Sequence, residues 1–127
     1  MYARVVEIKA RPERIEECIR IFKEVNGPSI ARQPGFDHGH WWADRDSGEA
    51  VSVTFWDTDE HEQTSRANIP VLITGMAHVL ASPDVTQRTY ERVHDQQPIG
   101  HFRAHQQAGL RPCHLVLGRS DRSSRAL

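Results

Sequence analysis

The sequence predicts an α+β fold of element order β-α-β-β-α-β, with a four-stranded antiparallel sheet and the helices on one face. Three observations predict it. Between Gln33 and Glu60 a helix exit, a hairpin and a helix start follow one another without a gap. Before that stretch, a Val/Ile/Tyr-rich run gives way to an amphipathic helix at a proline. After it, a helical stretch stops at Ser82-Pro83-Asp84 and a last β-forming run begins.

Tyr2 to Lys9 reads as the first strand. Arg11-Pro12 ends it, with Pro12 suited to the first turn of a helix. Ile15, Cys18, Ile19, Phe22 and Val25 then recur at helical spacing, with Glu16, Glu17, Arg20, Lys23 and Glu24 outward. Gly27-Pro28 is expected to break or kink this helix, with a last turn reaching Gln33. Pro34-Gly35 resets the chain for the second strand, His38 to Trp42. Asp46-Ser47-Gly48 supplies turn chemistry, with Gly48 the residue expected at positive φ. Val51 to Trp56 is the third strand. Asp57 reads as an N-cap and Glu60 completes a capping-box spacing. Pro70 interrupts the helix so opened, and Leu72, Ile73, Met76, Val79 and Leu80 resume helical spacing beyond it. Val85 to Val93 is the closing strand. This order is the ferredoxin-like arrangement. Its second sheet face would be left bare, and Val5, Val53 and Phe55 are too apolar for two wet faces, so dimerisation through the sheets is expected.

At 127 residues the chain is long enough for one core. The expected division is a domain at 1–94 and a basic polar tail at 95–127, flexible or docked on a partner subunit. Residues 1–95 carry 11 basic and 16 acidic side chains, and residues 96–127 carry five arginines and one aspartate. The tail arginines are dispersed, which argues against a nucleic-acid arm. Cys18 and Cys113 form no disulfide framework, and Cys18 reads as a core residue. The N-terminus lacks the apolar region of a signal peptide. No run reaches the ~20 apolar residues of a membrane span. A cytoplasmic protein without membrane or nucleic-acid partners is the resulting expectation.

Gln33-Pro34-Gly35-Phe36, the turn Asp44…Ser47-Gly48-Glu49, Phe55-Trp56-Asp57-Thr58-Asp59-Glu60 and Leu80-Ala81-Ser82-Pro83-Asp84-Val85 resemble antibiotic biosynthesis monooxygenase domains of the dimeric α+β barrel superfamily. The resemblance covers residues 1 to about 94. It implies a homodimer with a cavity between sheet and helices, and chemistry among cofactor-free oxygenases of polyketide phenols, quinol oxygenases or haem-degrading enzymes. The haem-degrading pattern has an Asn on the first strand, a Trp in the second helix and a His shortly after. Here only His78 matches, so no cofactor is expected.

Period-2 alternation places Phe36, His38, His40 and Trp42 on one face of the second strand. Two imidazoles beside an indole suggest a pocket in which His38 or His40 takes a phenolic proton and Trp42 walls an aromatic substrate. A rim of exposed histidines is the plainer account. Trp56 is a second wall or a packing anchor. Asn68 orients a substrate oxygen or caps a helix. His78 flanks the apolar stripe of the second helix. Arg88, sharing a face with Tyr90, can reach an anionic or phenolic substrate. His38 and His40, with His78 or Glu7 as a third ligand, would be a metal set without any His-x-x-x-His or Cys-x-x-Cys spacing behind it, so no metal is expected. The resulting expectation is a cofactor-independent monooxygenase of a small aromatic or polyketide-type phenol. The alternative is a non-catalytic small-ligand binding or accessory dimer of the same fold.

Overall fold

The computed structural model describes residues 1–100. Residues 1–93 form one compact unit. Of the segment that follows, His94–Gly100 contains neither helix nor strand. The expectations for Cys113, for a short strand at His114–Leu117 and for the tail beyond Gly100 lie outside the described residues.

Four strands build the sheet: β1 (Tyr2–Lys9), β2 (Phe36–Ala43), β3 (Glu49–Trp56) and β4 (Thr86–Glu91). Their spatial order is β2-β3-β1-β4, antiparallel throughout. This is the α+β ferredoxin-like fold. Along β1 the even residues Arg4 and Ile8 are buried beneath the helices, as are Ala50, Thr54 and Trp56 on β3. The odd residues of these strands, among them Val5, Val53 and Phe55, form the open face.

The helical layer comes in two interrupted stretches. A 3-10 turn at Pro12–Arg14 leads into α1 (Ile15–Ile21). A π-helical turn, Phe22–Asn26, joins it to α2 (Gly27–Ala31), and the Gly27 amide donates to the Phe22 carbonyl. Gly27-Pro28, expected to break or kink the helix, does not end it: the helical backbone runs on, with the π turn directly ahead of Pro28, which falls in the first turn of α2. The wider π turn also shifts the helix face. Val25 is exposed and Asn26 takes the buried position that α-helical spacing assigns to Val25.

After β3, Thr58 caps α3 (Asp59–Ser65) by accepting from the His61 amide at 3.1 Å. The cap is one residue later than the expected Asp57, whose Oδ1 instead meets His61 Nδ1 at 2.7 Å. A 3-10 turn, Arg66–Asn68, separates α3 from α4 (Ile69–Gly75), the restart that Pro70 demands. Another 3-10 turn, Ala77–Val79, carries Met76 and Val79 into the core with Ile15, Cys18, Ile21 and Phe22. The stretch is pinned to the end of β1 by Arg11 N to Val79 O and Ala81 N to Lys9 O, both 2.8 Å.

Gly48 closes the hairpin at φ 85°, and its carbonyl accepts from Ala10 N at 2.7 Å. A Cβ there would stand 2.1 Å from the Ala10 carbonyl oxygen, so only glycine fits. Among the described residues no helix is long and apolar enough to cross a membrane.

Candidate functional site

Where helices meet sheet there is a small cavity of about 40 Å³. Val6 and Ile8 floor it from β1, Phe22 and Ile30 close one side, and Ile73 and Met76 close the other. Trp41 reaches it from β2. Its polar members are Arg4, Asn26 and Ser52. By size it holds a few waters or one diatomic molecule, since a water needs ~10–15 Å³. An aromatic ring does not fit.

Arg4 is the unusual member. It is 2% exposed, and its guanidinium lies 4.8 Å from the centroid of the Trp56 ring. Trp56 is fully buried, donates from Nε1 to Thr54 Oγ1 at 2.9 Å, and meets Phe36 edge-on. It thus anchors the core and stacks against the cation. Arg4 Nη1 donates to Ser65 Oγ and stands 3.5 Å from the buried Glu62 carboxylate. Arg66 holds that carboxylate far more closely, at 2.6 Å from Nη2 and 3.0 Å from Nε. Two guanidinium groups therefore share one carboxylate, and Arg4 has the weaker claim. Burial pushes the Arg4 pKa down, against the opposing pull of Glu62. Burial alone would raise Glu62, but the hydrogen bond and charge of Arg66 hold it below the usual carboxylate range. Arg4 Nε and Asn26 Oδ1 are the buried side-chain polar atoms without a hydrogen-bond partner among the described residues. Both belong to this cavity. Native interiors leave few such groups, and here a donor on the sheet and an acceptor in the helical layer both border the same space.

Outside the cavity, between α1 and α4, runs a groove of about 340 Å³. Ile21, Val25 and Val71 give it apolar walls, Glu17 and Arg20 supply charge, and His78 adds an imidazole. Its volume falls in the ~300–1,000 Å³ range of small-molecule pockets. Asn26 and Leu72 line both spaces, so they stand where groove and cavity meet. His78 Nε2 lies 2.9 Å from Glu17 Oε2. A carboxylate only accepts, so Nε2 carries the proton and Nδ1 is left as the basic nitrogen. The His78 hydrogen bond, helped by Arg14 and Arg20, lowers the Glu17 pKa and keeps it ionised.

The sequence-predicted residues are scattered. His38, His40 and Trp42 share a face, but it is the open one: they pair with Phe55, Val53 and Val51, while Gly39 and Trp41 pair with the inward Thr54 and Ser52. None of the three lines the cavity. Phe36 does not share their face, because a bulge at Asp37 shifts the register and turns Phe36 inward against Trp56. The indole at the cavity is Trp41, not Trp42. His38 stacks on Phe55 at 4.3 Å between centroids and meets His40 edge-on, a cross-strand ladder on the sheet surface. Arg88 faces the same side, opposite Val5 on β1. Asn68 neither caps α4 with its side chain nor lines either space, and its Nδ2 turns back to Ser65 O. Of the named residues only His78 lines the groove.

The alternation on β1 offered Arg4, a charge in phase with Val6 and Ile8. The inward turn of Asn26 had no comparable signal. Cys18 is fully buried and desolvation pushes its thiol up to about 11, which makes it an inert core residue. Among the described residues no group of three or more His, Cys, Asp or Glu is placed to hold a metal ion.

Comparison with known proteins adds context to this geometry. A family model described as "Antibiotic biosynthesis monooxygenase" matches residues 1–68. No curated protein matches the sequence. A monooxygenase from the gene ActVA-Orf6 of Streptomyces coelicolor, solved with the ligand nanaomycin D, is similar with a TM-score of 0.63 at 16% identity, over 76% of this chain and 91% of that one. SnoaB, a cofactor-independent oxygenase from Streptomyces nogalater, gives 0.59 at 16% identity over 76% and 97%. Rv0793 from Mycobacterium tuberculosis gives 0.59 at 12% identity over 76% and 98%. At such identities the likeness is one of fold.

Proposed function

The chain belongs to the antibiotic biosynthesis monooxygenase family, and from that premise we propose that it is a cofactor-independent monooxygenase of a small phenol. The observation that carries this reading is the groove between α1 and α4. It pairs a carboxylate-oriented imidazole with apolar walls and adjoins a cavity holding a buried guanidinium. The phenol lies in the groove, and His78 Nδ1 takes the hydroxyl proton while Glu17 orients the ring and stabilises the imidazolium. The phenolate then passes one electron to O₂. Superoxide and the phenoxyl radical combine at a ring carbon bearing hydrogen, forming a C–O bond. Loss of that ring proton and cleavage of the O–O bond give a quinone and water. The substrate supplies every electron, so no external reductant enters.

The test is O₂ uptake with 1-naphthol as probe, alongside quinone absorbance. One O₂ is expected per naphthol. His78→Gln should lower kcat by roughly 10²-fold or more, with 1-naphthol binding little changed. Unchanged turnover in that variant would sink the role of His78. A wild-type protein that binds naphthols but consumes no O₂ would favour the non-catalytic ligand-binding dimer instead.

We also propose that two copies pair through their open sheet faces. Trp42 is 62% exposed and Tyr90 50%, beside Val5, Val53 and Phe55. A face this apolar calls for a cover. Sedimentation should show a dimer in the wild type and a shift to monomer in Phe55→Asp. A wild-type monomer at micromolar concentration would overturn this.

A further inference from the structure

We propose that Trp41 is a displaceable plug: its indole fills a ring-wide slot between Gly39 and Gly27, and the ring of a bound phenol takes its place. This rests on the reading above that the chain binds a small phenol, and it says how the space between sheet and helices opens to a ring. Two residues without side chains define the slot. A Cβ at Gly39 would stand 3.1 Å from Cη2 and Cζ3 of Trp41, and a Cβ at Gly27 would stand 3.8 Å from the same Cη2. The sheet and the helical layer thus close on one end of the indole. Both glycines lie within regular elements, Gly39 in β2 and Gly27 where the π turn runs into α2. Glycine weakens a strand or a helix at such places, and inside a strand it marks a close approach. A smaller apolar side chain at position 41 would need neither glycine. The pair keeps a gap for a flat ring.

Trp41 is also placed to leave. It is half-buried, it sits on an edge strand, and it lines the cavity from that edge. Turning its indole outward breaks no strand pairing and joins the cavity to the sheet edge. Trp56 has no such freedom, being fully buried and bonded through Nε1 to Thr54. The exchange is close to like for like, since indole and naphthol are both flat, fused two-ring systems. The incoming ring restores the packing against the core that Trp41 gives up, and an indole tolerates a half-wet rim because it carries a polar N–H. Gly27 directly follows Asn26, which borders both cavity and groove. A ring in the slot therefore lies next to the residue that joins the cavity to the groove of His78. A plug competes with the ligand: apparent affinity falls in proportion to the fraction of chains in which the slot is open.

Anaerobic calorimetry of the full chain with 1-naphthol tests this, because a plug and a plain wall predict opposite signs. Trp41→Ala should tighten Kd by about 10-fold, the gain from freeing a slot that is open in about one chain in ten. A wall residue would instead lose contacts and weaken binding. Should Trp41→Ala fold poorly, Trp41→Leu should give a smaller tightening. Gly39→Ala puts a methyl into the slot, 3.2 Å from Thr54 Cγ2, and should weaken Kd by about 10-fold. Co-crystals with 4-bromo-1-naphthol should show the ring between Gly27 and Gly39 and the Trp41 indole turned outward. Weaker binding in a Trp41 variant that folds, bound naphthol with Trp41 still seated, or no binding in either wild type or Trp41→Ala would each overturn the proposal. Naphthol binding with these signs but no O₂ uptake strikes the oxygenase reading and leaves the plug standing.

Discussion

Arg4→Met lowers kcat for 1-naphthol oxidation by about 10²–10³-fold, the loss seen when one preorganised group facing a developing anion is removed. The expected origin is electrostatic. As an electron moves to O₂, a negative charge appears beside the cavity wall, and Arg4 is the cation lining that wall. Methionine fills much of the same volume and keeps the contact with Trp56, so packing changes little. The fold should survive, because Glu62 keeps the stronger of its two partners: Arg66 remains 2.6 Å away. Arg4→Lys is expected to recover part of the rate. It restores charge, but an ammonium cannot reproduce the planar stacking on Trp56 or the guanidinium Nε–H. Stopped-flow with naphthol and varied O₂ is the measurement. The signature is a fall in kcat with binding of 1-naphthol nearly unchanged, which separates charge stabilisation from a misfolded site. Equal losses in kcat and naphthol affinity would assign Arg4 to structure alone.

The architecture was legible because its signals are local. Pro12 and Pro70 each fall at a helix start, and Gly48 closes the β2–β3 hairpin at positive φ, constraints set by the residue itself. Two one-residue irregularities were not legible, and both decide which side chains turn inward. The bulge at Asp37 turns Phe36 inward and away from the face it shares with His38 by simple alternation. The π turn at Phe22–Asn26 exchanges Val25 for Asn26. Each departs from a pattern with a fixed period, and nothing in the neighbouring residues announces it. The histidines of β2 drew attention because imidazoles on a core strand are rare, yet the sequence did not say which sheet face the helices cover. Arg4 was readable in principle. A charge in phase with Val6 and Ile8 is either misplaced or paired from another element, and the paired carboxylate, Glu62, lies 58 residues away.

That carboxylate carries the second large effect. Glu62→Gln is expected to cost about 3–5 kcal/mol of folding stability, the usual result of stripping the counter-charge from a buried ion. Glu62 is fully buried between Arg4 and Arg66. Without its charge, Arg4 stays buried as a cation and faces Arg66 with nothing between them. Arg66 is 40% exposed at its side chain and can turn to water, so the penalty falls on Arg4. Removing both charges should relieve it: Arg4→Met with Glu62→Gln is expected to be more stable than Glu62→Gln alone, since the uncompensated ion is gone. Acid should act the same way as the single substitution. The folded-state pKa of Glu62 is lowered from its ordinary 4.5. The unfolded chain therefore takes up the proton first, and the contribution is fully present above 4.5 and lost as pH falls through the lower folded value. Urea unfolding of wild type and Glu62→Gln as a function of pH reads this directly. The stability gap between them should be widest near neutrality and close below pH 4.5. A gap that stays constant into acid would mean that the ionised carboxylate is not what holds Arg4 in place.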